Sequence, residues 1–257
     1  MRTFSPKEKR AVISLYKKGI PIYKIKKAFK TRCSTISKIL KDTNIAIRLG
    51  RTVETLPYKL NHNYFTKINT QNKAYLLGLL YADGCVASES NAISLVSNDV
   101  ELLEFFKSQI KCNKSFYKNP QHKNALLFSF ASPQMKADLI KLGCIPRKSL
   151  KVEFPPKNLL EDSLIPHFLR GNFDGDGSIL KSNGQTQCYF LCGTIEFAES
   201  IKEFLNKNNI RTNKIQRNVK IFRLRITAKG EILKLKRLLY KNSIFKLQRK
   251  FERFCSI

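Results

Sequence analysis

The stretch Tyr75-Leu76-Leu77-Gly78-Leu79-Leu80-Tyr81-Ala82-Asp83-Gly84 is a run of apolar residues that ends abruptly in a carboxylate and a glycine. It recurs in altered form as Phe168-Leu169-Arg170-Gly171-Asn172-Phe173-Asp174-Gly175-Asp176-Gly177. Each copy has small residues at i and i+4, Gly78 with Ala82 and Gly171 with Gly175, followed by Asp and then Gly. On a helix, i and i+4 share a face. Two helices with small residues on that face can meet backbone to backbone. Gly78 and Gly171 would then be the packing residues, and Asp83 and Asp176 would lie side by side at the foot of the pair.

Outward from this stretch the chain reads as a duplication. Helix 72–83 is apolar nearly all round, as a buried helix is. Alternating segments at 84–87 and 92–97 predict strands, and 99–110 predicts a helix. Two strands around a turn at Asn119-Pro120 and a helix from Pro133 to Leu142 complete an αββαββα order. The same order restarts at Pro166, with a turn at Ser182-Asn183-Gly184 and last helices at 230–240 and near Gln248. Asp83 and Asp176 are 93 residues apart. Gly143-Cys144-Ile145-Pro146-Arg147-Lys148 is read as parallel to Asn242-Ser243-Ile244-Phe245-Lys246. Pattern, order and motif repeat together, which predicts an α+β fold of two pseudo-symmetric halves with antiparallel sheets. The halves are expected at 71–156 and 157–257.

Residues 1–50 read differently. Ser5-Pro6-Lys7-Glu8 is a capping box with Pro at the first helical position. Three short amphipathic helices follow, the third capped by Ser34, with a turn at Lys30-Thr31-Arg32-Cys33. The pattern predicts a helix-turn-helix that turns Thr35, Ser37, Lys38 and Lys41 toward a major groove, with a plain structural bundle as the alternative. Glu8 and Asp42 are its only acids. Residues 51–70 show little periodicity and read as a basic, extended linker.

The 257 residues carry 48 Lys and Arg against 19 Asp and Glu, a net charge of +29. Such an excess points to a polyanion partner. No stretch is apolar and long enough to span a bilayer, and the N-terminus lacks the apolar segment of a signal peptide, so an intracellular protein is expected. Seven scattered cysteines with no Cys-x-x-Cys pair read as reduced thiols rather than a zinc site. Three histidines leave little room for His-based chemistry. The strands of the second half carry Lys214, Gln216, Arg223 and Arg225, and Lys114 and Lys118 hold the matching place in the first. Alternation would gather these on one sheet face, shaped to contact DNA.

The two quoted motifs resemble those of double-motif LAGLIDADG homing endonucleases, and the resemblance covers residues 64–257. It implies a monomer whose motif helices join two saddle-shaped sheets astride double-stranded DNA. It implies that Asp83 and Asp176 are the catalytic carboxylates and bind Mg²⁺, or Mn²⁺ in its place, at the scissile phosphates, with the backbone of Ala82 and Gly175 as further metal contacts. Asn98 suits the polar position near the attacking water, whereas Gly193-Thr194 offers less in the second half. Lys229 suits the basic position beside the phosphate, with Lys148 and Lys246 as alternatives. This predicts unequal sites. Tyr81 departs from the motif where Asp174 keeps its acid, and Arg170 and Asn172 make the second helix more polar. Phosphodiester hydrolysis by metal held between carboxylates makes independent chemical sense. The readings that compete with a site-specific endonuclease are an intron-RNA maturase and a DNA-binding regulator without cleavage.

Overall fold

A computed structural model describes residues 4–43, 45, 58–119, 124–182 and 185–257. It comprises two compact units, one ending at Leu56 and the other beginning at Pro57.

The first unit holds α1 (Pro6–Lys17), α2 (Ile22–Ala28) and α3 (Cys33–Asp42). The capping box forms as expected: Glu8 N–H donates to Ser5 Oγ at 3.2 Å, and Ser5 N–H to Glu8 Oε2 at 2.9 Å. Gly19 closes α1 at φ +91°, where a side chain would be strained. Arg32, not Ser34, is the N-cap of α3, and no side chain caps it. Val12, Tyr16, Ile25, Ile36, Ile39 and Leu40 form a core of their own. Lys38 and Lys41 are exposed, while Thr35 and Ser37 are half-buried.

The second unit opens with residues that the sequence reading assigned to the linker. Residues 51–57 lie outside the described residues. From Tyr58 onward the chain is packed, not extended. Phe65 and Ile68 are buried in the main core, with Tyr58 and Leu60 against it. Asn61 N–H donates to Ile110 O at 2.8 Å, Thr66 Oγ1 to Asp138 Oδ2 at 2.9 Å, and Ala131 N–H to Tyr58 Oη at 2.7 Å. His62 Nδ1 lies 2.8 Å from Ser132 Oγ.

The duplicated order follows. The first copy is α4 (Gln71–Ala82), β1 (Gly84–Val86), β2 (Ala92–Ser97), α5 (Val100–Gln109), β3 (Tyr117–Lys118), β4 (Leu126–Ala131) and α6 (Pro133–Lys141). The second is α7 (Ile165–Asp176), β5 (Ser178–Ser182), β6 (Gln185–Cys192), α8 (Ile195–Lys207), β7 (Gln216–Asn218), β8 (Ile221–Ile226) and α9 (Lys229–Tyr240), with α10 (Gln248–Cys255) appended. The antiparallel sheets have equivalent orders, β1-β2-β4-β3 and β5-β6-β8-β7. Pro120, Lys123 and the Asn183-Gly184 turn lie outside the described residues.

One face of each sheet is sealed by helices. Ile93, Leu95, Phe128 and Phe130 are buried under Leu103, Phe106, Met135 and Leu139. Phe190, Cys192, Leu224 and Ile226 occupy the same place in the second half, under Phe197, Ile201, Leu235 and Phe254. Cys188 and Cys192 are free thiols on the buried face of β6, and burial pushes both up to about 12. They are core residues, as the sequence suggested. Among the described residues no helix is long and apolar enough to cross a membrane.

The helices α4 and α7 join the halves. Residues 74–81 of α4 are all buried, Gly78 included. A Cβ on Gly78 would sit 1.9 Å from Phe168 O, and one on Gly171 1.9 Å from Tyr75 O. Ordinary contacts of that kind are 3.4–4 Å. The backbones therefore touch directly on both sides of the local twofold, and only glycine fits. The sixth motif position differs between copies for a packing reason. Asp174 is buried and accepts from Tyr75 Oη, Tyr240 Oη and Leu247 N–H at 2.9, 2.9 and 3.0 Å. Its counterpart Tyr81 stacks edge-on against Phe168 and donates to Leu142 O.

Candidate active site

Both motif helices end at the same level. Asp83 is the C-cap of α4, its N–H bonded to Leu79 O at 3.0 Å, and Asp176 is the last residue of α7. Gly175 faces Ala82 and Asp83: a Cβ there would lie 2.4 Å from Ala82 Cβ and 3.2 Å from Asp83 Oδ2. Asp83 is exposed and Asp176 half-buried. Burial, then the Asp83 charge, raises the Asp176 carboxyl to about 6. Crowding by the surrounding protein also raises Asp83, against the opposing pull of Lys250, Lys148 and Arg249. Among the described residues neither carboxylate accepts a hydrogen bond or closes an ion pair.

The nearby lysines bind the helix ends instead. Lys148 Nζ donates to Ala82 O at 3.2 Å and Gly84 O at 2.5 Å. Lys250 Nζ donates to Phe173 O, Gly175 O and Gly177 O at 2.6, 2.9 and 2.7 Å. The two are counterparts, each preceded by arginine, Arg147 and Arg249. Burial lowers Lys250 to about 8. A helix C-terminus leaves carbonyls unpaired and partly negative, and a buried ammonium satisfies both needs.

This arrangement revises the expected basic residues. Lys229 opens α9, exposed, and is not among the cations that act on either carboxylate. Lys246 lies with its ammonium 3.6 Å from the Phe251 ring centroid. Lys148 is buried and tied to α4, so it is not a surface contact. Sequence reasoning missed Lys250 because it paired Lys148 with Lys246. The repeated Arg-Lys pair after the last long helix of each half was the available signal. The carbonyls of Ala82 and Gly175 each already accept from a lysine, which leaves one lone pair on each oxygen.

The two sides of the site differ. Beside Asp83 a cavity of about 470 Å³ is lined by Ser97, Asn98, Asp99, Asn124 and Arg249. Asp99, the N-cap of α5, accepts three bonds from Arg249, of 2.9, 3.1 and 2.8 Å. That pair ties the first half to the C-terminal helix, and no local sequence pattern announced it. On the other side Gly193, the counterpart of Asn98, is pressed against Ser149: a Cβ would lie 1.7 Å from its carbonyl oxygen. Thr194 Oγ1 donates to Val152 O at 2.5 Å.

The outer sheet faces also differ. In the second half Arg225 pairs with Tyr189, and Arg223 with Leu191 and Gln216, so these share one face. The Arg223 guanidinium lies 4.7 Å from the Tyr189 ring centroid. Among the described residues the Nε atoms of Arg223 and Arg225 have no hydrogen-bond partner. Lys214 and Gln216 are exposed. The matching face of the first half carries Ser94, Val96, Leu127 and Ser129 and no arginine. Its bases lie toward the edge: Lys118 is exposed, and Lys114 is half-buried, donating to Ser129 O at 2.6 Å. The expectation of a basic face in both halves therefore holds for the second half only.

Two αββαββα halves joined by a glycine-lined helix pair, with one carboxylate at each helix foot, define a two-motif architecture. The sequence profile of the LAGLIDADG-like domain matches residues 70–124 and 164–239, and the chain belongs to that family. No curated protein matches the sequence. Among solved structures, the chain is similar to meganuclease I-SmaMI bound to uncleavable DNA with a TTCT central four. That likeness has a TM-score of 0.52 and 13% identity, and covers 71% of this chain and 88% of the other. Full-length DUF199/WhiA from Thermatoga maritima is similar with a TM-score of 0.50 and 13% identity, over 76% of this chain and 64% of that one. At such identities the likeness is one of fold.

Proposed function

We infer that this chain is a DNA endonuclease that hydrolyses both strands of a long duplex site with a divalent metal. The observation that carries this reading is the pair of free carboxylates, Asp83 and Asp176, at the feet of two helices in backbone contact. Desolvation by the surrounding protein makes both negative charges costly, the Asp83 charge adds to the cost at Asp176, and among the described residues no protein cation bonds to either carboxylate. Rules of local stability broken twice at equivalent places mark a functional site. The resemblance to the I-SmaMI complex supports a DNA partner.

The donors fit Mg²⁺ or Mn²⁺. Two carboxylates and the free lone pairs of Ala82 O and Gly175 O form an all-oxygen set. Among the described residues no three His, Cys, Asp or Glu side chains are placed to hold a metal together, so waters and substrate phosphate would complete the shell. A bound divalent ion would polarise the phosphoryl oxygen and acidify a water. Asp83 and Asp176 hold negative charge at the scissile groups. Lys148 and Lys250 fix the two helix ends and place positive potential beside the developing phosphorane charge. Asn98 offers a polar side chain in the Asp83 cavity to orient water. Arg223, Arg225, Lys214 and Gln216 contact DNA from the second sheet, and Lys114 and Lys118 from the edge of the first. Lys38 and Lys41, with Thr35 and Ser37 beside them, give the N-terminal unit a further DNA contact as a helix-turn-helix. One chain supplies both carboxylates, so a monomer suffices.

The test is selection of cleaved targets from a randomised duplex library with Mg²⁺, followed by cleavage of the selected site. Wild type should make double-strand breaks, and Asp83→Asn or Asp176→Asn should abolish them while duplex binding persists. Undiminished cutting by both variants would refute the site. Specific binding by wild type without any nick would identify a regulator, and selective binding of structured RNA a maturase.

A further inference from the structure

A second cavity, of about 570 Å³, lies at the other ends of the motif helices, reached through Gln71 of α4 and His167 of α7. Asp176 lies nine positions beyond His167 on α7, about 14 Å along the axis. Its wall carries Lys234, Arg237 and Lys241. Lys234 is paired with Glu231 at 3.0 Å. Among the described residues Arg237 and Lys241 have no side-chain partner, and both are exposed. Pro166, Ile210 and Leu238 add an apolar patch to a wall completed by Asn208 and Asn242.

Beneath this cavity lies Arg170, a fully buried guanidinium. Its Nη1 donates to His167 Nδ1 at 2.7 Å and to Leu239 O at 3.0 Å, and it stacks 5.1 Å over the Tyr75 ring. Its Nε and Nη2 have no partner among the described residues. Tyr75, His167 and Leu239 belong to α4, α7 and α9. The same helices supply the cavity wall through Gln71, His167 itself and Leu238. Two unspent donors and a full positive charge thus lie under the cavity floor. The one carboxylate that acts on it among the described residues, Asp174, stands a turn along α7 and spends its oxygens on Tyr75, Tyr240 and Leu247 N–H, so the guanidinium keeps buried donors that are costly to leave unmade and that favour an anion nearby. His167 extends the argument. With Nδ1 accepting from Arg170, the ring proton is on Nε2. The ring is neutral at physiological pH, its pKa lowered to about 4 by burial and by Arg170, so it offers a donor without added charge.

We propose that this cavity binds a phosphate-bearing ligand of nucleotide size, independently of the carboxylate cleft. Arg237 and Lys241 meet the phosphate charge, with Arg170 and His167 behind them. Pro166, Ile210 and Leu238 pack against a flat ring. The volume falls in the range of small-ligand sites. The same chemistry serves a free nucleotide or one unit of a single strand.

The full chain is titrated by calorimetry with inorganic phosphate, with mixed ribonucleoside monophosphates, and with a single-stranded RNA oligonucleotide. The expected result is saturable binding of monophosphates, weakened at least tenfold in Arg237→Glu and in Lys241→Glu, with melting temperature and duplex binding unchanged. Binding of the oligonucleotide alone, with the same sensitivity, supports the site with a strand as its ligand. Binding of phosphate alone, binding unaffected by both variants, or no binding of any probe overturns the proposal. Arg170→Met removes the buried charge, but the surface variants decide the matter if it fails to fold.

Discussion

Replacing Asp176 by Asn should stabilise the metal-free protein while removing cleavage. The folded chain holds the Asp176 carboxyl at about 6 against an ordinary 3.8. Between roughly pH 4 and 6 the folded state therefore keeps a proton that the unfolded state has released. Stability falls as pH rises through that window, and the deficit is complete above it. At about 1.4 kcal/mol per unit the shift corresponds to roughly 3 kcal/mol. Partial solvent access reduces this to about 1–2 kcal/mol. For a unit of this size, such a gain raises Tm by roughly 2–8 °C. Calorimetry in chelator at about pH 8 should show Asp176→Asn melting higher than wild type, and the difference should vanish near pH 4. Added Mg²⁺ should raise the wild-type Tm and leave the variant nearly unmoved, because only a site intact in the folded state gains from the ion. A variant that melts lower than wild type at pH 8 in chelator would refute the reading of Asp176 as a strained, unneutralised charge.

Two further outcomes follow from the same geometry. Gly78→Ala or Gly171→Ala places a methyl 1.9 Å from a backbone oxygen, so the helices must separate; the cost is at least about 1–3 kcal/mol, and cleavage should drop with it. Denaturant melts and cutting rates check this, and an unchanged midpoint would remove the interface from the account. Arg249→Ala breaks a partly exposed pair with Asp99, worth only about 1 kcal/mol or less, yet it opens the Asp83 cavity and removes a cation that favours the Asp83 carboxylate. Nicking of one strand should slow several-fold while the other is spared, as read from end-labelled strands over time; equal slowing of both would count against two unequal sites.

What the sequence made legible was whatever is local or periodic. The motif pair, the order of elements and the glycine contact could be read because each rests on spacing within one helix or on a repeat that keeps that spacing. Residues 58–70 were misread because Tyr58, Tyr64, Phe65 and Ile68 follow no helix or strand period; they are buried by irregular chain held on long-range bonds such as Asn61 to Ile110. Lys250 was missed because an insertion in the second half shifts the register between its motif and its lysine. Asp99 and Arg249 lie 150 residues apart, and no alternation encodes such a pair. The basic reading of the first sheet failed because strand charge was counted without register: the residues that share the outer face are serines and aliphatics.

The placement of the lysines explains how the site keeps two carboxylates where physics disfavours them. Each Asp stands at a helix C-terminus, where unpaired carbonyls already carry about half a negative charge. A lysine bonded to the carboxylate would stabilise the fold and compete with any incoming cation. Lys148 and Lys250 bind the carbonyls instead. They cancel the unfavourable end of the dipole, hold the two helix feet in place, and leave all four carboxylate oxygens free. The compensation is incomplete, since both Asp groups remain raised. That residual strain is the driving force a divalent ion would relieve. Positive charge spent on the backbone rather than on the acids is thus what separates this helix pair from a structural ion-pair network.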